Sequence, residues 1–447
     1  MPISWLAYVS KAVRRKLEES ETRQITVNIS WLLIDKMLRM VVSIFLGTWI
    51  ARYLGPEKFG IFNYAVAFVG LFGSLASLGL DEIVIRDIVK YPQDKDRLIN
   101  TTLALRVLAT SVNIVLIIAT STWLYPRHNA VEEIIIITAI IVLPQIICET
   151  IDLWFKSQVN ARISIIAKDL GLILSSFIKT ILVINKATLV AFAWASFSEF
   201  LIAAIALIYL YTKANNKLNF RLIDLALAKR LLTDSWPFIF SGLAVIIYMR
   251  IDQIMISIMI GNQENGFYSA AVKLAEIWYF IPMILISSVY PKIISLKEKD
   301  NILFYKSLQK LYQVMTIIAY VTSISFSIFS GPIINFFYGY EYRCSAAMLA
   351  IMIWTTLFVN LGSVRNSLIM IMNWGKLHLL TMVIASFVNV ILNILLIPKY
   401  GGLGAATATL IAQGLSAYGL CFCFPQLRET ARMMTKAMTL GWIFSDR

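Results

Sequence analysis

The sequence predicts an all-α membrane protein with twelve transmembrane helices in two related halves. Three observations support this fold class: long apolar stretches, an uneven distribution of charge among the connections, and a repeated segment. Hydrophobic residues make up 59% of the 447-residue chain, charged residues make up 15%, and the mean hydropathy is +0.74. A water-soluble domain of this size could hardly shield so much apolar surface from solvent. The lipid bilayer is therefore the predicted environment.

Twelve apolar stretches are long enough to be membrane spans, since crossing the hydrocarbon core takes about 20 mostly apolar residues. In chain order they are residues 28–51, 60–80, 101–124, 134–155, 163–184, 188–211, 236–260, 267–291, 311–330, 346–370, 377–397 and 402–424.

Basic residues are concentrated in alternate connections. If the amino terminus is cytoplasmic, 26 of the 40 Lys and Arg residues lie on the cytoplasmic side, six lie in the opposite connections and eight lie within the spans. Cytoplasmic loops carry an excess of Lys and Arg, so the pattern predicts that both termini are cytoplasmic. The net charge of +14 therefore reflects topology and does not indicate nucleic acid as a partner. Residues 1–27 are either a tail with a short interfacial helix or a disordered tail.

The chain divides at its longest polar connection, residues 212–235, which is basic and predicted to be cytoplasmic. It separates a six-helix half at 28–211 from a second at 236–424, and a cytoplasmic tail follows at 425–447. The segment 55–65, after the first span, is similar to the segment 261–271, after the seventh. Two glycines and a following aromatic residue recur at the same offset. Such repeats are common in transporters, whose substrate sites lie between the repeats.

Charged side chains interrupt the spans of the first half. Asp35 and Arg39 are four residues apart in the first span, so they share one helical face and partly neutralise each other. Lys36 projects about 100° away from Asp35, so its position relative to a cavity is open. Glu199 lies in the middle of the sixth span, either as a proton carrier or as a hydrogen-bonded structural residue. Embedded charges usually face a bundle interior or a water-filled path, although structural ion pairs remain the alternative.

The second half carries a similar set of charges. Arg250 and Asp252 lie deep in the seventh span and need partners. Lys273 and Glu276 in the eighth span are the candidates, although their three-residue spacing equally allows them to pair with each other. Arg365, in the tenth span, either lines a cavity or extends to the cytoplasmic interface. The candidate cargo-binding cations are thus Arg39, Arg250, Lys273, Arg365 and Lys36. The candidate ion-coupling or ion-pairing carboxylates are Asp35, Asp252, Glu276 and Glu199. The cationic excess favours an anionic cargo such as a phosphate.

Features of an enzyme are missing from the sequence. The two histidines, His128 and His378, fit no metal-ligand pattern, and no loop is long enough for a soluble catalytic domain. We predict a transporter that needs no metal or cofactor.

Four motifs carry a family resemblance. They are IARYLGPEKFG at 50–60, RIDQIM at 250–255, GFYSAA at 266–271 and IPKYGGLGAA at 397–406. They resemble the polysaccharide transporters of the multidrug/oligosaccharidyl-lipid/polysaccharide superfamily, and the Wzx-type O-antigen flippases most of all. The resemblance covers residues 25–424. Lipid II flippases of the same superfamily carry two further carboxy-terminal spans, which the short basic segment after Pro425 does not provide.

The resemblance implies two six-helix lobes around a central cationic cavity that opens alternately to each side. It implies a flippase that moves undecaprenyl-diphosphate-linked oligosaccharide to the outer leaflet of the bacterial inner membrane. The embedded carboxylates suggest coupling to H⁺ or Na⁺, and transport driven by the cargo's own gradient is the alternative. Membrane lipids and polysaccharide polymerase or assembly proteins are the implied partners. A drug or metabolite antiporter of the same superfamily is the main alternative. A membrane glycosyltransferase or polymerase and a structural scaffold are weaker ones.

Overall fold

The computed structural model describes residues 3–124, 130–158, 161–372 and 374–439. Throughout these ranges the chain is helical, with short turns and no strand. The all-α prediction is confirmed. Several of the helices are long and apolar enough to cross a bilayer, so the protein is a multi-pass membrane protein.

Seventeen α-helices make up the described part of the chain. They are α1 Ile3–Leu71, α2 Gly73–Ser77, α3 Asp81–Lys90, α4 Lys95–Leu124, α5 Ala130–Ser157, α6 Ala161–Ile184, α7 Leu189–Lys213, α8 Leu225–Met259, α9 Asn262–Glu276, α10 Phe280–Lys299, α11 Asn301–Ile328, α12 Ser330–Tyr338, α13 Ser345–Met352, α14 Thr355–Ile371, α15 Gly375–Gly414, α16 Leu420–Cys423 and α17 Arg428–Met438. A π-helical turn, Leu415–Gly419, joins α15 to α16.

Eight helical segments of the described chain are long and apolar enough to cross a membrane. A ninth is formed by Ser30–Leu71 of α1 together with Gly73–Lys90, which is bent by 44° relative to it. This count differs from the predicted twelve for identifiable reasons. α1 contains most of the first two predicted spans, and α15 with α16 contains the last two. α6 coincides with the fifth predicted span, but it carries Lys168, Asp169 and Lys179. Three charges make it too polar to be counted among the eight apolar segments. The number twelve therefore stays a prediction.

Gly55 interrupts α1. Its backbone has φ 72° and ψ 168°, a region that favours glycine because any Cβ would be strained there. Pro56 follows and cannot donate the next helical hydrogen bond. Carbonyl groups of the preceding turn therefore need other donors, and the Tyr342 hydroxyl donates to the Ala51 carbonyl oxygen at 2.8 Å.

The chain folds into two compact units. Unit 1 comprises Met1–Ser43, Leu75–Thr120 and Ile136–Ile239, and unit 2 comprises Ile44–Ser74, Ser121–Ile135 and Phe240–Arg447. The core of unit 1 is built mainly from α3, α5 and α7. Unit 2 has one core around α9 and α13 and another around α11 and α14. The predicted division at residues 212–235 stays a prediction, because these units are defined by internal contacts alone.

The predicted connections and tails are more helical than the sequence indicates. Within 212–235, α7 ends at Lys213 and α8 begins at Leu225, so the connection between them is short. α1 begins at Ile3 and continues into the first predicted span without a break. The predicted tail at 425–447 contains α17, whose apolar face packs on α11. There the Gln309 side chain donates to the Met433 carbonyl oxygen at 3.2 Å.

The repeated segments contact each other reciprocally within unit 2. A Cβ on Gly60 would lie 1.7 Å from the Asn262 carbonyl oxygen, and a Cβ on Gly266 would lie 1.9 Å from the Pro56 carbonyl oxygen. Pro56 and Asn262 occupy the same position in the two repeated segments, and so do Gly60 and Gly266. Each glycine therefore contacts the same position of the other segment, as in a contact between two-fold related segments. The Asn265 amide also donates to the Gly60 carbonyl oxygen at 3.0 Å. Small residues let the two backbones meet this closely.

This contact predicts a strict requirement for glycine. Gly60→Ala and Gly266→Ala each place a methyl carbon well inside the van der Waals contact distance to a backbone oxygen, and overpacking of this kind costs about 1–3 kcal/mol. Gly47→Ala is the matched control, since a Cβ there meets nothing within 4 Å and alanine favours a helix over glycine. We expect both variants to have a lower Tm in detergent than the Gly47→Ala protein. Equal Tm values would contradict the contact.

Candidate functional site

Arg39 lies at the centre of an ion-pair cluster in unit 1. Its guanidinium contacts the carboxylates of Asp35 at 2.6 Å, Asp169 at 3.1 Å and Glu199 at 3.9 Å. The pairing of Asp35 with Arg39 is the one that their four-residue spacing predicts. The Arg39 side chain nevertheless remains 34% exposed, so the cluster is not sealed in the protein interior.

Three helices position the carboxylates of this cluster. Asp35 is on α1, Asp169 is on α6 and Glu199 is on α7. α6 and α7 approach closely because Gly171 leaves room: a Cβ there would lie 2.4 Å from the Glu199 carbonyl oxygen. The Lys179 ammonium on α6 lies 3.4 Å from the Glu199 carboxylate. Glu199 therefore has two cationic neighbours, Arg39 and Lys179.

Sequence reasoning missed Asp169. The available signal was that α6 carries three charged residues within one predicted span, which points to a helix with several polar contacts. With Asp169 included, the cluster holds three carboxylates and two cations. Lys36, in contrast to its neighbour Asp35, is exposed.

Arg250 and Glu276 form an ion pair in unit 2. The guanidinium on α8 lies 3.4 Å from the Glu276 carboxylate on α9, and the two side chains are 37% and 25% exposed. Glu276 is one of the two partners that the sequence suggests for this region. Lys273, the other, lies with its ammonium 4.5 Å from the centre of the Phe59 ring, at cation–π distance.

Asp252 is buried in a polar pocket of unit 2. Its carboxylate accepts hydrogen bonds from the Tyr268 hydroxyl at 2.7 Å, the Thr409 hydroxyl at 2.5 Å and the Asn393 amide at 2.5 Å. Asn389 is hydrogen-bonded to Asn393 at 3.1 Å. Within the described part of the chain, the hydrogen-bond partners of Asp252 are all uncharged. The sequence suggests Lys273 or Glu276 as partners for both Arg250 and Asp252. Arg250 does pair with Glu276, whereas the described partners of Asp252 include neither residue.

This pocket has the chemistry of a small-cation or proton site. Asp252 is 3% exposed, and a charged carboxylate at such burial needs several donors or a neutralising cation. The buried Asn393 amide oxygen accepts no hydrogen bond within the described structure. Carboxylate, hydroxyl and amide oxygens are the ligands that hard cations prefer. The same hydrogen bonds also suit a carboxyl group that gains and loses a proton.

Arg365 occupies a different environment from the other predicted cations. It is 1% exposed, and its guanidinium donates to the Ser416 carbonyl oxygen and, at 3.0 Å, to the Asn366 side-chain oxygen. The alternative that the side chain extends to the interface does not fit this burial. In this conformation Arg365 is also not open to a cargo.

Further embedded charges in unit 1 form structural contacts. The fully buried Arg106 donates to the Asp81 carboxylate at 3.1 Å and to the Ser77 carbonyl oxygen at 3.0 Å, next to the turn between α2 and α3. The Asp152 carboxylate lies 2.9 Å from the Lys168 ammonium and 3.0 Å from that of Lys156.

Comparisons with known sequences identify relatives over nearly the whole chain. Residues 22–297 match the family described as polysaccharide biosynthesis protein. A putative O-antigen transporter of Shigella flexneri is 24% identical over 413 residues, which cover 90% of this chain and 97% of that protein. The capsular polysaccharide biosynthesis protein CapF of Staphylococcus aureus is 24% identical over 395 residues, which cover 86% of this chain and 96% of that one.

Solved structures share the fold. The lipid II flippase MurJ in an inward closed conformation matches with a TM-score of 0.69 at 16% identity, over 94% of this chain and 93% of that one. An inward-facing multidrug resistance MATE family transporter of the MOP superfamily matches with a TM-score of 0.70 at 13% identity, over 92% of this chain and 99% of that one. At these identities the likeness describes architecture alone.

The cluster around Arg39 predicts a non-additive response to mutation. Arg39→Gln leaves three carboxylates with one cation, and Asp169→Asn then relieves part of the repulsion. We expect the double variant to have a higher Tm than Arg39→Gln alone, because charges that share a network are coupled by about 0.5–3 kcal/mol. The exposed pair Arg432 and Glu429, at 3.4 Å, is the control and should show little coupling. Additive effects at Arg39 and Asp169 would contradict the network.

Proposed function

Because the chain belongs to the polysaccharide biosynthesis protein family, we propose that it is a flippase for lipid-linked oligosaccharide. Its cargo is a surface-polysaccharide repeat unit, such as an O-antigen unit, attached to undecaprenyl diphosphate. The protein moves this cargo from the cytoplasmic to the outer leaflet of the bacterial inner membrane, with both termini in the cytoplasm.

An alkaline phosphatase fused at Asn219 should be inactive in this topology, and an active fusion there would overturn it.

One observation carries the proposal beyond family membership. Guanidinium groups lie within long apolar helices and yet remain partly exposed, as Arg250 does at 37% and Arg39 at 34%. A cation held there only for packing would be expected to be buried, since exposure to lipid is unfavourable. Partial exposure fits side chains that meet water and a polar cargo.

Arg250 is the stronger candidate for contact with the diphosphate. Among the described residues its ion-pair partner is Glu276, at 3.4 Å, so donors of its planar fork remain for phosphate oxygens. Arg39 is surrounded by three carboxylates, which compete with an anionic cargo. Lys273, whose ammonium lies 4.5 Å from the centre of the Phe59 ring, is the second cation that we assign to cargo contact in unit 2.

Coupling to an ion gradient is assigned to Asp252. Its pocket offers oxygen ligands to Na⁺ and hydrogen-bond partners to a protonated carboxyl group. A cation shifts a conformational equilibrium only when the two conformations bind it differently. Thr409 and Asn393 reach Asp252 from different parts of α15, on either side of the break at Gly401, so a change at this break would alter the pocket.

Alternating access requires contacts that break and re-form. In unit 2 the region around Gly55 is held by the reciprocal glycine contact and by Arg52, whose guanidinium donates to the carbonyl oxygens of Asn335 and Phe336 at the end of α12. In these hydrogen bonds an exposed arginine side chain donates to backbone carbonyl groups. We propose that the glycine contact and the Arg52 hydrogen bonds together close the outer side of the protein, and that they break when cargo is released.

A drug antiporter is the second candidate function, and one observation favours it. The cluster of Asp35, Asp169 and Glu199 has one more carboxylate than it has cations, which is the chemistry that a cationic cargo needs. The two functions differ in the cation at Arg250. The Arg250 guanidinium would repel a cationic drug, whereas it would bind the diphosphate of a lipid-linked cargo.

Substitution of Arg250 tests the cargo assignment. Arg250→Ala removes a charge-assisted contact and should reduce export of lipid-linked glycan about tenfold or more. Arg250→Lys should restore export only in part, because a lysine lacks the planar fork. Export is measured as surface polysaccharide in a strain that lacks its own flippase, with Arg428→Ala as an exposed control.

A double variant separates cargo binding from folding. Arg250→Ala combined with Glu276→Gln removes the ion pair without leaving an unpaired carboxylate. If Arg250 only neutralises Glu276, the double variant should regain normal export at normal protein levels. Recovery of this kind would refute the assignment, whereas continued loss of export supports it.

Asp252→Asn tests ion coupling. In liposomes that contain lipid-linked oligosaccharide, we expect an imposed Na⁺ or proton gradient to accelerate flipping by the unmodified protein. The asparagine variant should flip at one rate with and without a gradient. Glu199→Gln and Glu276→Gln should keep the response, and Glu429→Gln is the exposed control. If the gradient still accelerated flipping by Asp252→Asn as it does for the unmodified protein, Asp252 would not be the coupling site.

A further inference from the structure

Two membrane helices begin beside a small cavity of unit 1, which has a volume of about 260 Å³. Both helices belong to apolar segments long enough to cross a membrane, Pro92–Leu124 and Leu225–Met259. Since the ends of such segments lie among the lipid headgroups, the cavity is at headgroup depth. Its lining includes Tyr91 and Asp94 before α4, Arg97 and Leu98 near the start of α4, and Leu227 and Arg230 near the start of α8.

The two arginines of the cavity share their carboxylate partners with other groups. Arg230 donates to the Asp87 carboxylate at 2.6 Å, and Arg86 contacts the same carboxylate at 2.8 Å. Arg97 pairs with Asp224, which also caps α8 by accepting hydrogen bonds from two backbone N–H groups of its first turn, at 2.7 and 3.1 Å. Three guanidinium groups therefore share two carboxylates.

Both cavity arginines keep hydrogen-bond donors for a ligand. Each guanidinium approaches its carboxylate through Nη2, and the side chains of Arg97 and Arg230 are about half exposed, at 50% and 49%. A guanidinium has five N–H donors, so one carboxylate leaves some of them unused. The planar fork of arginine matches the oxygen atoms of a phosphate group. The cavity thus presents two phosphate-binding side chains from two different helices.

The other charged groups near the cavity oppose each other. Asp94 lines the cavity and is half-buried, so its carboxylate repels an anion. The Lys90 ammonium lies 5.1 Å from the centre of the Tyr91 ring and places a cation beside the lining. The excess of guanidinium groups over carboxylates is therefore not cancelled.

Exposed apolar side chains adjoin the charged lining. Leu225, at the start of α8, is 82% exposed, and Val89, two residues before Tyr91, is 61% exposed. At headgroup depth these side chains fit contact with acyl chains. A phospholipid offers a phosphate to the arginines and hydrocarbon to the apolar residues, and basic pockets at the ends of membrane helices bind such headgroups. A free phosphate offers the first contact alone.

The volume of the cavity limits the size of the group that enters it. Pockets for drug-sized ligands are about 300–1,000 Å³, and this one is smaller. A phosphate with a small alcohol fits this volume better than a drug or an oligosaccharide does. The cavity is therefore suited to a headgroup and not to the sugar part of a cargo.

We propose that unit 1 binds the phosphate group of an acidic membrane phospholipid in this cavity, through the guanidinium groups of Arg97 and Arg230. The bound headgroup links the start of α4 to the start of α8 and stabilises unit 1. The choice of leaflet, which is the cytoplasmic one, rests on the proposed topology. The site itself depends on neither the cargo nor the direction of transport.

Lipid-dependent stability is the first test. The full-length protein in a neutral detergent is heated with phosphatidylglycerol, with phosphatidylcholine or with sodium phosphate, at equal concentration and ionic strength. A ligand that binds only the folded state raises the Tm as its concentration increases. We expect phosphatidylglycerol to raise the Tm more than either of the others. Equal shifts with the two lipids would overturn the proposal, and an equal shift with sodium phosphate would assign the cavity to free phosphate instead of lipid.

Direct binding of a short-chain phosphatidylglycerol is the second test, because it does not depend on the stability of a variant. Arg97→Gln and Arg230→Gln each remove a charge-assisted contact and should weaken binding about tenfold. Arg221→Gln is the matched control, since Arg221 is an exposed arginine of the same connection that does not line the cavity. An equal loss of binding in the control would mean diffuse charge attraction and would contradict a defined site.

Asp94→Asn gives a result that misfolding cannot imitate. The substitution removes a negative charge from the lining, so it should tighten binding of phosphatidylglycerol about threefold or more. Unchanged or weaker binding by a folded Asp94→Asn protein would contradict the location of the phosphate in this cavity.

Discussion

A bilayer offers no partner to a charge, so every ionisable side chain within its helices must find one in the protein. This constraint accounts for most of the polar contacts described above. Arg39 is met by three carboxylates, Arg250 by one and Lys273 by an aromatic ring. Asp252 is met by hydroxyl and amide donors. The helices are thereby held in register by contacts that have no substitute in lipid.

The same constraint separates charges that can act on a cargo from charges that cannot. Arg250 keeps a third of its surface accessible and one modest ion pair, so an anionic ligand can compete for it. Arg365 is enclosed and belongs to the structure of its unit. Asp252 is enclosed as well, but its described hydrogen-bond partners are neutral, and this is the environment on which the proposal of a coupling site rests. A transporter needs both kinds of site: one that the cargo reaches and one whose occupancy changes the preferred conformation.

Much of this could be predicted from sequence, because membrane helices impose strong local patterns. The helical stretches follow from apolar length, and the Asp35–Arg39 pair follows from its spacing. The repeated segments with their two glycines are also visible in the sequence, although the contact between them is not. The contacts between distant helices could not be read in this way. Asp169 pairs with Arg39 across 130 residues, and Thr409 reaches Asp252 across 157. Nor does periodicity reveal that a kink of a single residue, at Gly55 and again at Gly401, is all that separates two successive helices.

The central claim is that a lipid-linked oligosaccharide crosses the bilayer through this protein. The most direct measurement is the rate at which undecaprenyl-diphosphate-linked oligosaccharide becomes accessible on the opposite face of liposomes that contain the purified chain. The account predicts rapid translocation with the unmodified protein and slow translocation with Arg250→Ala, against a background set by protein-free liposomes. Translocation no faster than that background, alongside uptake of cationic drugs by the same liposomes, would contradict it.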